Sequence, residues 1–565
     1  MTTTKSTKMT GAEAVLKSLV AEKVDTIFGY PGGAIMPIYD ALYNYSEMVN
    51  HVLVRHEQGA IHAAQGFART SGKTGVVFAT SGPGATNLIT GLADALIDST
   101  PLVCITGQVA SHLLGTDAFQ ETDVIGISMP VTKWNCQVTN ANDIPSTIAK
   151  AFYIAASGRT GPVLIDITKD AQFGAMEFKY EKCTTVRSYY PKPEIKKEAI
   201  KEASQLINHA KKPFLVIGQG IMLSNAENEL MQFVDKSGMP VASTLLGLGA
   251  FPNNHSLYVG LLGMHGDYAP NIKTNECDLL IAVGMRFDDR VTGDVSRYAR
   301  QAKVIHIDID AAELNKIIKA DVAVHADAKT ALEMLTKLVN KKTHNAWLQE
   351  FIVAKKKEVD TLEKNKSNSS EIKMDEVIEL LSEITNGEAV IVTDVGQHQM
   401  MAARFYHYNK TKSNVTSGGL GTMGFALPAA IGAKFGVPEK TVVAIIGDGG
   451  FQMTLQELGT ILQSKVEVKI IILNNRFLGM VRQWQQMFFE KRYSFTEMVS
   501  PDFVALANAY SIDGKKVESR KELKESLVEM LQHNGTFLLE VMVTKEENVF
   551  PMIPTGASVS EVRLN

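Results

Sequence analysis

TVVAIIGDGGFQMTLQELGTILQSKVEVKIIILNNRF, residues 441–477, decides how the rest of the chain reads. Two apolar, β-branched runs each end in a polar island. The first island is Gly447-Asp448-Gly449-Gly450-Phe451 and the second is Asn474-Asn475-Arg476-Phe477. Buried parallel strands read as continuous apolar runs of this kind. The stretch between the islands, 452–463, has helical character, so the unit reads strand–helix–strand. A right-handed crossover sets neighbouring strand ends side by side, which brings Asp448 and Asn475 to one sheet edge. A carboxylate and an amide oxygen at one point form a hard-oxygen set suited to Mg²⁺. Glycines at 447, 449 and 450 let backbone N–H groups approach an anion, and a following helix N-terminus favours negative charge. Each island alone reads equally well as a strand-to-helix turn. Their pairing in one crossover favours a metal site that also holds a diphosphate.

Outward from this unit, short β-branched runs alternate with helical stretches, the pattern of an α/β fold. Strands are expected at 24–28, 52–54, 75–79, 102–106 and 162–167, then at 214–217, 279–283 and 304–309, then at 389–393, 441–446, 468–473 and 537–543. Residues 180–199, YEKCTTVRSYYPKPEIKKEA, read as a linker. The charged stretch 340–373 reads as a solvated helix followed by a flexible connector at the polar run Ser367-Asn368-Ser369-Ser370. Three domains with parallel sheets flanked by helices follow, spanning 1–180, 190–345 and 372–565. The outer two have similar size and pattern, which suggests related folds.

A chain of 565 residues is too long for one hydrophobic core. Its 45% hydrophobic and 21% charged content is ordinary for a globular protein, and a formal net charge of −4 argues against nucleic acid as a partner. No basic run marks a membrane-surface patch, and the apolar runs fall far short of the roughly 20 residues of a spanning helix. Cys104, Cys136, Cys183 and Cys277 are far apart and form no CxxC pair, as expected for reduced thiols. The N-terminal MTTTKSTKMTGAEAVLKSL lacks an apolar signal core. A cytoplasmic location is the expectation.

A glutamate stands just after the 52–54 strand, in Arg55-His56-Glu57-Gln58-Gly59-Ala60. Alone it reads as a helix N-terminal acid complementing the dipole. A metalloprotease HExxH reading fails because Ala60 occupies the second histidine position, and a P-loop reading of Gly72-Lys73-Thr74 fails because Phe67 occupies the place of its first glycine.

GDG followed by NN at this separation, with the HEQGA…GFAR segment, resembles the signature of thiamine-diphosphate enzymes. The resemblance implies that Asp448, Asn475 and the Phe477 carbonyl are Mg²⁺ ligands. It also implies that Gln397, His398 and Gln399 with Gly449 and Gly450 meet the diphosphate, and that Met423 props the cofactor in a bent form. Glu57 would hydrogen-bond the aminopyrimidine and promote loss of the ring-carbon proton; the electron-sink chemistry is the cofactor's. The loops Gly29-Tyr30-Pro31-Gly32-Gly33-Ala34 and Ser81-Gly82-Pro83-Gly84 belong to the same pattern, with Gly33 able to approach a reacting centre.

The segments FQETD at 119–123, GMHG at 263–266, RFDDRVTG at 286–293 and GMVRQW at 479–484 narrow the resemblance. They are similar to the acetohydroxyacid (acetolactate) synthase catalytic subunit, from about residue 9 to PMIPTGAS at 551–558. This implies ligation of pyruvate, with loss of CO₂, to a second 2-ketoacid, pyruvate or 2-ketobutyrate, in branched-chain amino-acid biosynthesis. Arg290 would pair with the second acid's carboxylate. Trp484 and Met480 would shape its pocket, and Phe119, Gln120 and Lys169 would lie near the reacting centre. The plainer alternatives are a surface ion pair of Arg290 with Asp288 or Asp289, and a helix core stripe for Met480, Val481 and Trp484.

FAD enters through the resemblance alone, at Arg159, His265, Gly284, Arg286, Asp308 and Asp327; no GxGxxG precedes a helix in the middle block. The chain departs from the family at Thr168, usually proline before the lysine, and at Gly450, often serine. A pyruvate oxidase or 2-ketoacid decarboxylase is the competing activity, against which RFDDRVTG and GMVRQW count. The resemblance further implies a homodimer or homotetramer with the active site between subunits, and allows a small regulatory subunit.

Overall fold

A computed structural model describes residues 8–365 and 370–565. The first seven residues and most of the connector expected around 367–370 lie outside the described residues. Three six-stranded sheets are present, all of parallel strands.

The first sheet runs Asn50–Leu53, Thr26–Gly29, Gly75–Ala79, Leu102–Gln108, Pro162–Thr168, Trp134–Val138 from edge to edge. The third runs Asn414–Thr416, Val390–Thr393, Val442–Gly447, Lys469–Asn474, Phe537–Met542, Asp513–Val517. Numbered in chain order, both have strand order 2-1-3-4-6-5, so the outer sheets share one topology. The middle sheet runs Tyr258–Leu261, Val241–Ser243, Pro213–Ile217, Leu279–Val283, Lys303–Asp308, Val322–His325. Its order, 3-2-1-4-5-6, is that of dinucleotide-binding doubly wound folds, whose ligands sit where the order reverses. Here that point lies between Pro213–Ile217 and Leu279–Val283.

Central strands are mostly apolar, because helices cover both faces; Leu102–Gln108 and Pro162–Thr168 are buried at every position, including the polar Thr106, Gln108, Asp166 and Thr168 at or near their carboxyl ends. The outer units are joined within the chain by two crossing helices, Glu57–Ser71 and Ala426–Gly436. Gly66 and Gly432 make the crossing possible. A Cβ on Gly66 would lie 1.9 Å from the Ala429 carbonyl oxygen, and one on Gly432 1.7 Å from that of Ala63.

The linker at 180–199 is less free than its composition suggests. Tyr189 accepts a hydrogen bond from Lys133 and donates one to the Ser157 carbonyl, and a helix begins at Lys197. The charged stretch contains the helix Asn345–Asn365. The helix expected at 452–463 instead begins at Asp448, ends at Thr454, and resumes after a tight turn as Leu458–Ser464.

Candidate active site

Val442–Gly447 and Lys469–Asn474 are neighbours in register, Gly447 opposite Leu473, so the residues after them meet at the carboxyl edge of the third sheet. Asp448 is the first residue of its helix and is almost wholly buried. Its carboxylate accepts from Ser500 Oγ at 3.2 Å and from the backbone N–H of Asn475, yet burial pushes its pKa up to about 6. Asn475 is buried; its Oδ1 accepts from Phe477 N at 3.1 Å, and its Nδ2 faces Gln397 Oε1 at 3.3 Å. Arg476, with φ 58°, turns the chain between them. One carboxylate and one amide therefore converge, short of the full ligand set a hard cation needs and open to carbonyl, phosphate and water oxygens. Among the described residues no cluster of three or more His, Cys, Asp or Glu forms a metal site.

The helix Gln397–Phe405 starts beside this junction. His398 is buried and next to Gly447, its pKa is lowered to about 4 by burial, and its Nε2 has no hydrogen-bond partner. A neutral imidazole with an orphaned buried nitrogen fits a site that a phosphate-bearing group completes. Gln397 and Gln399 are engaged by protein groups instead. Gln397 Nε2 donates to Gln483 Oε1 and the Glu547 carbonyl, and Gln399 Nε2 to Thr416 Oγ1 and the Ser417 carbonyl.

Asp394 and Gln483 escaped the sequence reading. Asp394 is fully buried and accepts from the backbone N–H of Val395, Gly424 and Ala426. It therefore fixes the segment beside Met423. It also explains Gly450, where a Cβ would meet Asp394 Oδ1 at 2.5 Å. Its signal was in the sequence: an aspartate directly after a strand, in the same DVGQHQ motif. A Cβ on Gly449 would lie 2.8 Å from a Leu478 methyl.

A cavity of 1180 Å³ opens from this edge toward the middle sheet. Gln399, Met423, Met480 and Trp484 line one end; His265, Gly284, Arg286, Asp308 and Asp327 line the other, with Arg159 from the first unit. The far end lies at the point where the middle strand order reverses. Gly220 and Gly284 pack backbone to backbone there, since a Cβ on Gly220 would lie 2.5 Å from the Gly284 Cα. His265 Nδ1 is buried without a partner, and burial lowers its pKa to about 4. Asp308 is raised to about 6, burial outweighing the nearby Arg159. The cavity, the fold's reversal point and the orphaned His265 nitrogen fit a dinucleotide. Arg159 is held by Asp310 and Glu313 at 3.1 and 2.8 Å, and Asp327 caps the helix Ala328–Leu338.

Arg290 lines the cavity, is 61% exposed, and has Asp289 at 3.8 Å, too loose a pair to immobilise it. Trp484 and Met480 stand half-buried on the helix Gly479–Phe488, and the Trp484 ring lies against Phe488 with centroids 5.0 Å apart. That helix's fully buried positions are Arg482 and Gln483; Trp484 and Met480 line the cavity, and Met480 also packs against the third unit's core.

Asp448, Asn475, Phe477, Gln397, His398, Gly449 and Gly450 do not line this cavity, and neither do the remaining expected residues. Glu57 begins the helix Glu57–Ser71, is buried, and accepts from Asn87 Nδ2 at 2.9 Å. Gly33 has open space where a side chain would be, Phe119 is 87% exposed, Gln120 has φ 60°, and Lys169 starts a short helix at the surface.

Comparison with known proteins accounts for this arrangement. Residues 9–127 match the thiamine pyrophosphate enzyme N-terminal TPP binding domain, 200–335 the central domain, and 394–541 the C-terminal TPP binding domain. The chain is 47% identical over 558 residues to acetolactate synthase isozyme 2 large subunit of Escherichia coli, covering 98% of this chain and 99% of that one. It is 45% identical over 554 residues to the acetolactate synthase large subunit of Lactococcus lactis, covering 98% and 96%. It is also 45% identical over 564 residues to the probable acetolactate synthase large subunit of Methanocaldococcus jannaschii, covering 98% and 95%. The chain therefore belongs to the acetolactate synthase large-subunit family of thiamine pyrophosphate enzymes.

Proposed function

We propose that the protein condenses pyruvate with a second 2-ketoacid, pyruvate or 2-ketobutyrate, with loss of CO₂, giving 2-acetolactate or 2-aceto-2-hydroxybutyrate for branched-chain amino-acid synthesis. The carrying observation is the buried Asp448–Asn475 junction with the orphaned His398 nitrogen beside it, on the same sheet edge whose Val395, Gly396 and Gln399 line a cavity shared with Trp484, Met480 and Arg290. Bound thiamine diphosphate supplies a nucleophilic ring carbon and an electron sink. The chain's residues bind and orient. Asp448, Asn475 and the Phe477 carbonyl would hold Mg²⁺, His398 and the Gln397 helix N-terminus would receive the diphosphate, and Met423 would pack against the cofactor. Glu57 keeps a proton poised at the aminopyrimidine. Arg290 takes the acceptor carboxylate in a charge-assisted pair, and Trp484 and Met480 bound its side chain. FAD occupies the middle-sheet end of the cavity.

Glu57, Gly33, Phe119, Gln120 and Lys169 act on the cavity of a second subunit. One observation supports this reading: large apolar side chains are exposed on both units. Phe119 is 87% exposed on the first and Val499 94% on the third. A homodimer is then the smallest active unit and a tetramer is compatible with it. The relatives are named large subunits, and a small regulatory subunit is a further proposed partner. Among the described residues no helix is long and apolar enough to cross a membrane; a cytoplasmic location is proposed. The test is product analysis from pyruvate with thiamine diphosphate, Mg²⁺ and FAD, each omitted in turn. Acetolactate that disappears without thiamine diphosphate or Mg²⁺ supports the reading; acetaldehyde or acetyl phosphate as main product overturns it.

A further inference from the structure

The loop Ser417–Met423 is a wall of the cavity, and Met423 closes it. Its downstream end is fixed by its own unit, through the Gly424 and Ala426 amides on Asp394. Its upstream end is fixed by the other unit of the same chain. Asp98, the residue capping the helix Ile89–Ile97, is 1% exposed. Its Oδ1 accepts from Gly419 N at 2.8 Å and its Oδ2 from Gly418 N at 2.9 Å, while Arg69 NH2 reaches Oδ2 at 2.9 Å. Arg69 also donates to the Thr416 carbonyl at 2.8 Å. One turn earlier, Asp94 is fully buried; its Oδ1 accepts from Ser417 Oγ, and Ser417 Oγ in turn accepts from Thr422 N at 2.8 Å. Asp94 Oδ2 and Arg69 Nε have no partner.

We propose that Asp94 and Asp98 are positioning residues that set the conformation of the loop Ser417–Met423 from the amino-terminal unit, so that each chain's first unit shapes the cofactor cavity of its own third unit. Two amides and a guanidinium converging on one buried carboxylate form a charge-assisted clamp. Ser417 Oγ bridges Asp94 and Thr422, staking the loop one residue before Met423. Gly421 in the loop and Gly424 just past it take φ values of 69° and 85°, left-handed turns that glycine adopts without strain. The buried group Asp94 is held near a pKa of about 6 by desolvation and the neighbouring Asp98, against Arg69, Ser417 and Gln65. The inference rests on the proposed binding of thiamine diphosphate against Met423.

The test is the thiamine diphosphate dissociation constant, read by isothermal titration calorimetry with Mg²⁺ and FAD saturating. Ser417→Ala removes one hydroxyl, Ser417→Thr keeps it, and Asp98→Asn turns an acceptor toward a donor. Ser417→Ala and Asp98→Asn are expected to weaken the affinity at least tenfold, with Ser417→Thr within threefold of wild type. Affinity within twofold of wild type for Ser417→Ala, or Ser417→Thr as weak as Ser417→Ala, overturns the proposal. If Asp98→Asn does not fold, the Ser417 pair decides. A wild-type protein that binds no thiamine diphosphate overturns the proposed function beneath it, a result distinct from wild type and variants binding alike.

Discussion

The carboxylate of Glu457 accepts hydrogen bonds from the backbone N–H of Arg55 at 3.2 Å, 402 residues away in sequence. Glu457 is fully buried, Thr460 Oγ1 donates to it at 2.6 Å, and a Cβ on Gly59 would collide with it at 2.4 Å. The third unit thus grips the turn that leads into Glu57, and Arg55 returns the contact by donating to the Gly459 carbonyl. Glu457→Ala leaves the Arg55 amide without its acceptor, a cost of about 1–3 kcal/mol. Urea unfolding is expected to show that loss, and the rate of acetolactate formation to fall by more than tenfold, because the turn carries Glu57.

Glu57 and Asp448 are proposed to act in different subunits of one site. Glu57→Gln and Asp448→Ala are each expected to abolish product formation alone. Mixed and reassembled, the two variants regain up to about a quarter of wild-type activity, since mixed dimers hold one intact site. No recovery in reassembled mixed dimers contradicts a shared site.

Trp484 lines the same cavity as Arg290. Replacing it with leucine removes apolar contact with the longer side chain of 2-ketobutyrate. One methylene in an apolar pocket is worth about 1–3 kcal/mol. Trp484→Leu is therefore expected to lower the preference for 2-ketobutyrate over pyruvate by about tenfold, read from the product ratio in a competition assay.

Asp308 gives a pH signature. Burial raises its pKa from 3.8 to about 6, so the folded chain binds this proton more tightly than the unfolded chain. Its contribution is fully present below pH 4 and lost as pH rises through 6. Measured without FAD, the unfolding free energy of wild type relative to Asp308→Asn should fall by at most about 3 kcal/mol from pH 4 to 7. A rise over that window contradicts the assignment.

The metal–diphosphate junction was legible because two apolar strands end in polar islands one crossover apart, and the central strands because burial on both faces makes them mostly apolar. Edge strands other than Asn50–Leu53 left no such trace. Asp513–Val517, DGKKV, and Trp134–Val138, WNCQV, expose polar residues, and Asn414–Thr416 is only three residues long. In the middle sheet Val241–Ser243, Tyr258–Leu261 and Val322–His325 were too short to read, so its 3-2-1-4-5-6 order was hidden. That order is the structural support for a dinucleotide, which the sequence supplied only by resemblance. Asp94, Asp98 and Glu457 were missed for another reason: Asp98 and Glu457 act on backbone amides and Asp94 on the Ser417 hydroxyl, all far away in sequence, and no local spacing announces such a contact.

The most direct measurement is product identity when pyruvate and 2-ketobutyrate compete, with thiamine diphosphate, Mg²⁺ and FAD present. Acetohydroxy acids from both acceptors, formed by wild type and lost in Glu57→Gln, are predicted. Acetaldehyde or acetyl phosphate as main product, or unchanged acetohydroxy-acid formation by Glu57→Gln, would contradict it.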